Sequence, residues 1–350
     1  MVTMLLDVPA PALRLGFDSD ALRSNWQALD RLSGTARAGA AVKADGYGLG
    51  ARRVVSVLQD AGCRDFFVAH WSEANELIDI AAPGAVSVLH GPLTDADVAF
   101  AMASGAVPVI NSREQARRWL AGGGGRCHLM VDTGINRLGL PMSELGDESI
   151  AALEVDILLS HLVSSEEDTG FNAVQRDRWQ QACAVVPHAR ASLANSAGIA
   201  LGRAYHGDLT RPGIALYGGV PRPEMADMIA QVAHPQAAIL QVRNVAAGET
   251  IGYNATFTAQ VPMRVGTVAL GYADGYLRCW SGKGCFHAAG QPLPVLGRVS
   301  MDMTVIDLGR APGLREGDWV TADYALPEAT AATGLSQYEL LTVLGRRFSR

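Results

Sequence analysis

The chain has 350 residues, of which 49% are hydrophobic and 18% charged, with a formal net charge of -6. That length suits one large α/β domain plus a smaller one, and the acidic balance without any Lys/Arg block argues against a nucleic-acid partner. No window is apolar for long enough to span a bilayer, and the start, "MVTMLLDVPAPALRL", lacks the basic region of a secretory signal.

The start of the chain, around "VPAPALRLGF", reads as a lone strand, placed at 1–11, that could belong to either domain. Short apolar segments then recur: "GAAVKA" near 42, "DFFVAH" near 68, "AVSVLHG" near 88 and "GAVPVIN" near 109. They continue with "CHLMVDTG" near 130, "VDILLSHL" near 158, "ARASLANS" near 192 and "RPGIALYG" near 214. Eight such segments separated by amphipathic stretches carry the βα rhythm of a parallel sheet. "GARRVVSVLQDAG" has helical apolar spacing and stops in glycine. "SREQARRWLAGGGG" opens on a Ser cap and ends in a glycine run, read as a terminator and not a phosphate cradle. No G-x-G-x-x-G follows the first segment, which disfavours the open doubly wound sheet. The expectation is therefore an eight-stranded (β/α)8 TIM-type barrel over 12–225. After about residue 225, alternating β-branched residues with glycine turns predict a C-terminal all-β domain over 226–350.

Five cysteines are scattered without a C-x-x-C pair, which suits a reducing cytoplasm. Eight histidines are dispersed as well, and no metal site is expected.

In such a barrel, chemistry sits at the carboxyl ends of the strands. Those ends hold Lys43, His70, His90, Asn111, Asp132 with Arg137, His161, Asn195 with Ser196, and Arg211 with Gly213. Lys43 follows a small apolar lead-in, Ala40, Ala41 and Val42. A desolvated lysine becomes a usable nucleophile or base; the ordinary alternative is a snorkelling or salt-bridged strand-end charge. "ANSAG" and "RPGIALYG" follow the seventh and eighth segments, where barrels of this kind often bind phosphate; separately each is a helix cap and a turn. Together, opposite a first-strand lysine, they favour a phosphorylated aldehyde cofactor. An arginine cannot give up its proton, so Arg211 facing a pyridine nitrogen would keep that nitrogen unprotonated. His161 alone reads as a hydrogen-bonded core histidine, and Asp132 with Arg137 as an Asp-turn carrying a surface arginine. In the β domain, Tyr253 and Tyr272 lie beside glycines, as strand tyrosines often do.

"AVKADGYG", "VDTGINRLG", "LLSHL", "LANSAG", "RPGIALYG", "IGYNATF", "GYADGY" and "GRVSMDM" resemble, in order and over nearly the whole chain, the motifs of alanine racemases. The resemblance implies a homodimer with shared active sites, in which the first strand of the chain joins the β domain. It implies Lys43 as the residue that carries pyridoxal 5'-phosphate. Tyr47, Ser196 and the amides of Gly213 and Ile214 would bind the phosphate, with Asn195 beside them, and Arg211 would face the pyridine nitrogen. Arg137 would contact the cofactor's phenolic oxygen and the substrate carboxylate. Tyr253, given by the other subunit and hydrogen-bonded to His161, would be the second catalytic base. Met301 would offer its amide to the substrate, and Tyr272 would narrow the entrance near Asp302.

The implied reaction is interconversion of L- and D-alanine, with Lys43 and Tyr253 working on opposite faces of Cα. It would supply D-alanine for peptidoglycan or serve alanine catabolism. A pocket closed by Tyr272 and Met301 discriminates one methylene by only about 1–3 kcal/mol, so other small amino acids should react slowly. Two positions depart from the family pattern. Met130 stands where many members have a carbamylated lysine that orients the arginine of the following loop, and Arg346 stands where some have a phosphate-binding tyrosine. The competing readings are a broad-specificity small-amino-acid racemase, a barrel decarboxylase, and a pyridoxal-phosphate-binding barrel that catalyses nothing. The last would need neither Tyr253 nor Met301, and the decarboxylase does not fit "IGYNATF".

Overall fold

The computed structural model describes residues 9–345, 347 and 348. The chain divides into two compact units, Ser19–Ala230 and a second made of Met1–Asp18 with Gln231–Arg350.

In the first unit the apolar segments form parallel strands at Arg37–Ala38 with Ala40–Ala41, Phe66–Val68, Val86–Val88, Val107–Ile110, Arg126–Asp132, Glu154–Leu159, Arg190–Ser192 and Leu209–Thr210. From Ala40–Ala41 to Arg190–Ser192 they pair in chain order. Leu209–Thr210 then pairs with Arg37–Ala38. The remaining seam is joined by the Asn195–Arg211 bridge, with the Arg211 amide donating to the Ala194 carbonyl at 2.8 Å. The sheet thereby closes on itself and leaves no free edge.

The eighth segment differs from expectation. "RPGIALYG" is not the strand: the strand is Leu209–Thr210, and Ile214–Tyr217 is a 3-10 turn. The ladder stops because Pro212 has no N–H to give, although its carbonyl still accepts from the Ala41 amide at 2.8 Å. This early stop turns the backbone of Gly213 and Ile214 across the barrel end.

The covering helices follow the apolar spacing. Ala51–Ala61 buries Ala51, Val54, Val55 and Leu58 and ends on Gly62 at φ +114°. Arg113–Ala121 is capped by Ser112, whose side chain accepts from the Gln115 amide. The barrel interior is a packed core of Phe67, Val109, Met130, Ile157, Leu159 and Leu209. Met130 is thus a core side chain in this protein.

The second unit is an antiparallel barrel. The strand Ala233–Val245 pairs with Met263–Val268, and the sheet runs on through Thr304–Asp307, Gln291–Leu296 and Cys285–Ala288 to Trp319–Ala322, which returns to Ala233–Val245. A bulge between Ile239 and Gln241 lets the two halves of that long strand serve different neighbours. The N-terminal strand is Leu13–Phe17, pairing with Ala233–Val245. Of the stretch 1–11, residues 1–8 lie outside those described, and Pro9 and Pro11 cannot donate to a ladder. The unit is not made of strands alone: Leu326–Thr333 and Gln337–Thr342 are helices, the latter closed by a Ser336–Glu339 capping box.

One buried histidine ties the first barrel together. The His128 Nδ1 accepts the Ile157 amide at 3.2 Å, at a shift of register between neighbouring strands, and its Nε2 meets the Ser87 hydroxyl at 3.0 Å. Burial pushes this imidazole down to about 3, with Asp156 opposing and Arg126 and Arg190 assisting. An unfolded histidine titrates near 6.5. The folded state therefore binds fewer protons, so the contribution of His128 is complete above pH 6.5 and is lost as pH falls toward 3. The stability difference between wild type and His128→Gln, from urea denaturation, should shrink by up to about 1.4 kcal/mol per pH unit below pH 6.5. A difference that stays constant to pH 4 would contradict the assignment.

Candidate active site

The end of the first barrel strand sets the geometry. Ala40, Ala41 and Val42 are buried, and Lys43 is half-buried beyond them. The next five residues, Ala44, Asp45, Gly46, Tyr47 and Gly48, all have positive φ, at 54°, 53°, 63°, 55° and 82°. They form a left-handed turn, which costs L-residues roughly 1–2 kcal/mol each and persists only when its surroundings impose it. Here the Gly46 amide donates to the Val42 carbonyl at 2.9 Å, the Gly50 amide to the Asp45 carbonyl at 2.8 Å, and the Ala51 amide to the Asp45 carboxylate at 2.8 Å.

The turn brings Tyr47 back into the barrel, where it stacks on Tyr217 at 4.6 Å. Burial pushes its phenol up to about 12, so it acts as a neutral hydroxyl. That hydroxyl lies so near Gly213 that a Cβ there would approach it to 2.3 Å. Glycine is therefore required at 213 for the phenol and the backbone to meet.

Ser196 is buried, and its hydroxyl accepts the Gly213 amide at 2.8 Å and the Ala215 amide at 3.3 Å. Tyr47, Ser196, Gly213 and Ile214 thus cluster at one end of the barrel. Asn195 caps the short helix Ser196–Ala200, accepting from the Gly198 amide at 2.9 Å and from the Ser165 hydroxyl at 2.9 Å. Its carboxamide oxygen is committed to those bonds.

Arg211 is buried and bonded to the Ser192 hydroxyl, the Ser160 carbonyl and, at 3.4 Å, the Leu193 carbonyl. No carboxylate pairs with it among the described residues. Burial lowers its pKa to about 10, which leaves it charged at neutral pH. Arg137 is exposed on a loop shaped by Asp132, whose carboxylate accepts the Gly134 amide at 2.8 Å and the Asn136 amide at 3.2 Å. Burial first, then Arg137 and Arg211, lower the pKa of Lys43, and Glu73 opposes them. The same cations, with burial as the larger cause, press His161 down to about 3, so its imidazole is neutral. Lys43, Arg137, His161 and Arg211 accordingly share one electrostatic neighbourhood.

In the other unit, Tyr253 is 65% exposed on a turn that follows Gly252, and Met301 is 52% exposed. The Tyr272 and Met301 loops pack together. The Tyr272 amide donates to the Ser300 carbonyl at 3.0 Å and the Ala273 amide to the Met301 carbonyl at 2.9 Å. The Arg278 guanidinium lies 5.1 Å over the Tyr272 ring.

Sequence reasoning passed over two residues. Glu73 accepts three backbone amides, from Ala44, Ala69 and His70, and its only advance signal is the capping-box position it holds in "HWSE". Arg347 bridges the buried Asp274 and the exposed Asp302, each at 2.7 Å, and so ties the Tyr272 loop to the Met301 loop; nothing in the tail sequence flags it. Arg346 lies outside the described residues.

The cluster offers one amine of lowered pKa, the exposed Arg137 guanidinium, the buried Arg211 guanidinium with no carboxylate partner among the described residues, and a hydroxyl, a phenol and backbone amides around a glycine cradle. This donor set fits an anionic aldehyde carrying a phosphate. Because the turn after Lys43 needs its left-handed backbone, Gly46→Ala should cost about 1–2 kcal/mol, measured by chemical denaturation. Its new Cβ would also crowd Val54 at 3.1 Å. Unchanged stability would contradict that reading of the turn.

Models of the alanine racemase N-terminal and C-terminal domains match residues 17–221 and 232–350. The chain is 41% identical to an alanine racemase of Methylobacterium nodulans, over 96% of this chain and 95% of the relative. It is 38% identical to a catabolic alanine racemase of Agrobacterium fabrum, over 96% of this chain and 91% of the relative. Its fold matches the crystal structure of Bartonella henselae alanine racemase with covalently bound pyridoxal phosphate. That match has a TM-score of 0.88 and 33% identity, covering 98% of this chain and 99% of that one. This chain belongs to the alanine racemase family.

Proposed function

We propose that this protein interconverts L-alanine and D-alanine at the barrel end, with pyridoxal 5'-phosphate carried on Lys43. The observation that carries the reading is the half-buried Lys43 amine, lowered in pKa by burial and by Arg137 and Arg211. A neutral amine is what attack on an aldehyde requires. When bound, the cofactor supplies stabilisation of negative charge at Cα, as pyridoxal phosphate does generally.

The chain's own residues supply the rest. Tyr47, Ser196 and the backbone of Gly213 and Ile214 hold the phosphate, with Asn195 fixing the turn that presents Ser196. Arg211 faces the ring nitrogen, and it cannot serve as a proton source there. Arg137 receives the substrate carboxylate, a role its exposed position on the Asp132 loop supports. Lys43 takes or returns a proton on one face of Cα. Tyr253 of a second copy does so on the other, next to His161, which is neutral and so able to accept a hydrogen bond from a phenol. The exposure of Tyr253, Met301 and Met303 supports a homodimer that shares its sites in this way. Tyr272 and Met301 limit the substrate to a small side chain. The five cysteines are free, which supports a cytoplasmic location. Racemisation is reversible, so one centre serves both supply of D-alanine to peptidoglycan and its removal.

Purified protein incubated with L-alanine and pyridoxal phosphate should yield D-alanine in a chiral assay, and Lys43→Ala should yield none. Tyr253→Phe should keep the cofactor's visible absorption but lose turnover by about 10²-fold or more, the usual worth of a positioned acid–base group. Full activity in Tyr253→Phe would overturn the two-base reading.

A further inference from the structure

We propose that Glu73 is a positioning residue for Lys43, acting through its hold on the Ala44 amide and through its charge at the barrel end. This inference rests on the reading of Lys43 given above.

The geometry is that of a clamp between two segments. One carboxylate oxygen of Glu73 accepts the Ala44 amide at 2.5 Å. The other accepts the Ala69 amide at 2.7 Å and the His70 amide at 3.0 Å. Ala44 is the residue directly after Lys43 and the first of the left-handed turn; Ala69 and His70 directly follow the second barrel strand, Phe66–Val68. A single side chain thus pins the start of a strained turn to the neighbouring strand. An amide that points at a carboxylate cannot drift, and the Lys43 backbone is fixed with it. Capping of the helix Trp71–Asn75 accounts for the His70 bond but not for the reach to Ala44, which lies 29 residues earlier.

The charge has a second effect. The charged side chains that act on Lys43 are Arg137, Arg211 and Glu73. Lys43 in turn lowers the pKa of His161 and His90, and the His70 ring lies 4.3 Å from that of His90. Glu73 is the one acid named among the influences on Lys43 within the described residues, and it opposes the others. Without it, no acid named among the described residues would offset the two arginines, and the amine would lose its proton at lower pH than it does. Glu73 therefore limits how far burial and the two arginines lower the amine's pKa, keeping it able to hold the proton it receives.

The two effects separate by substitution. Glu73→Gln removes the charge and turns one acceptor oxygen into a donor facing an amide. Glu73→Asp keeps the charge but is one methylene too short to reach both segments. With the cofactor-loaded protein, the acid limb of the pH–rate profile for alanine interconversion should move to lower pH in Glu73→Gln and stay near wild type in Glu73→Asp. Release of pyridoxal phosphate, followed by its visible absorbance after gel filtration, should be several-fold faster in both. Wild-type release together with a wild-type acid limb in Glu73→Gln would overturn the proposal. Should Glu73→Gln fail to fold, wild-type release in Glu73→Asp would overturn it equally. Lys43→Ala separates the two readings: covalent cofactor retained in that variant would sink the assignment of Lys43 itself, whereas its loss there leaves the Glu73 result to stand or fall alone.

Discussion

A lysine amine half out of water beside two arginines is electrostatically unfavourable when charged, and much of the surrounding barrel end makes sense as the means of keeping it there. Burial and like charge both disfavour the ammonium form of Lys43. A flexible side chain in that situation would swing toward solvent. Here the residue stands between a strand of buried small residues and a left-handed turn that three non-glycine residues, Ala44, Asp45 and Tyr47, adopt against their preference. The turn returns Tyr47 to Tyr217 and Gly213, so the strain of one segment becomes the packing of the next.

The closed barrel provides the rigidity that such a site needs. Arg211 lies at the seam where the seventh and eighth strands meet, bonded to strand-end carbonyls and a serine hydroxyl but to no carboxylate among the described residues. Its charge is therefore held for use and not cancelled. His161 is neutral in the same field, a hydrogen-bonding group and not a further cation. In the separate β unit, Arg347 joins the Tyr272 and Met301 loops through Asp274 and Asp302, giving proposed substrate-facing residues a common anchor. The family relationship covers both units, with residues 17–221 and 232–350 matched in turn.

Much of this was readable in the chain itself. The eight apolar segments marked the barrel, because parallel strands buried on both faces must be continuously apolar. Helix stops at Gly62 and Gly122 were legible because left-handed or abrupt endings favour glycine. The eighth strand was misplaced for a physical reason: "GIALYG" is as apolar as a strand, and only the missing N–H of Pro212 diverts it into a turn. The left-handed turn was hidden because Ala44, Asp45 and Tyr47 carry no local preference for it, and only Gly46 and Gly48 hint at it. Beyond its capping-box position, the role of Glu73 was hidden for a similar reason, since its bond to Ala44 links segments 29 residues apart. Carboxylates that stabilise backbone across sequence distance leave no periodic trace.

The composition offers an unusually clean way to test where the cofactor sits. The chain has only two lysines, Lys43 and the exposed Lys283 of the β unit. Borohydride trapping of bound pyridoxal phosphate, followed by peptide mass mapping, therefore distinguishes them directly. The label should appear stoichiometrically on the peptide containing Lys43 and be absent from the peptide containing Lys283. Label on Lys283, or none on Lys43 in protein that interconverts alanine, would contradict the site described above.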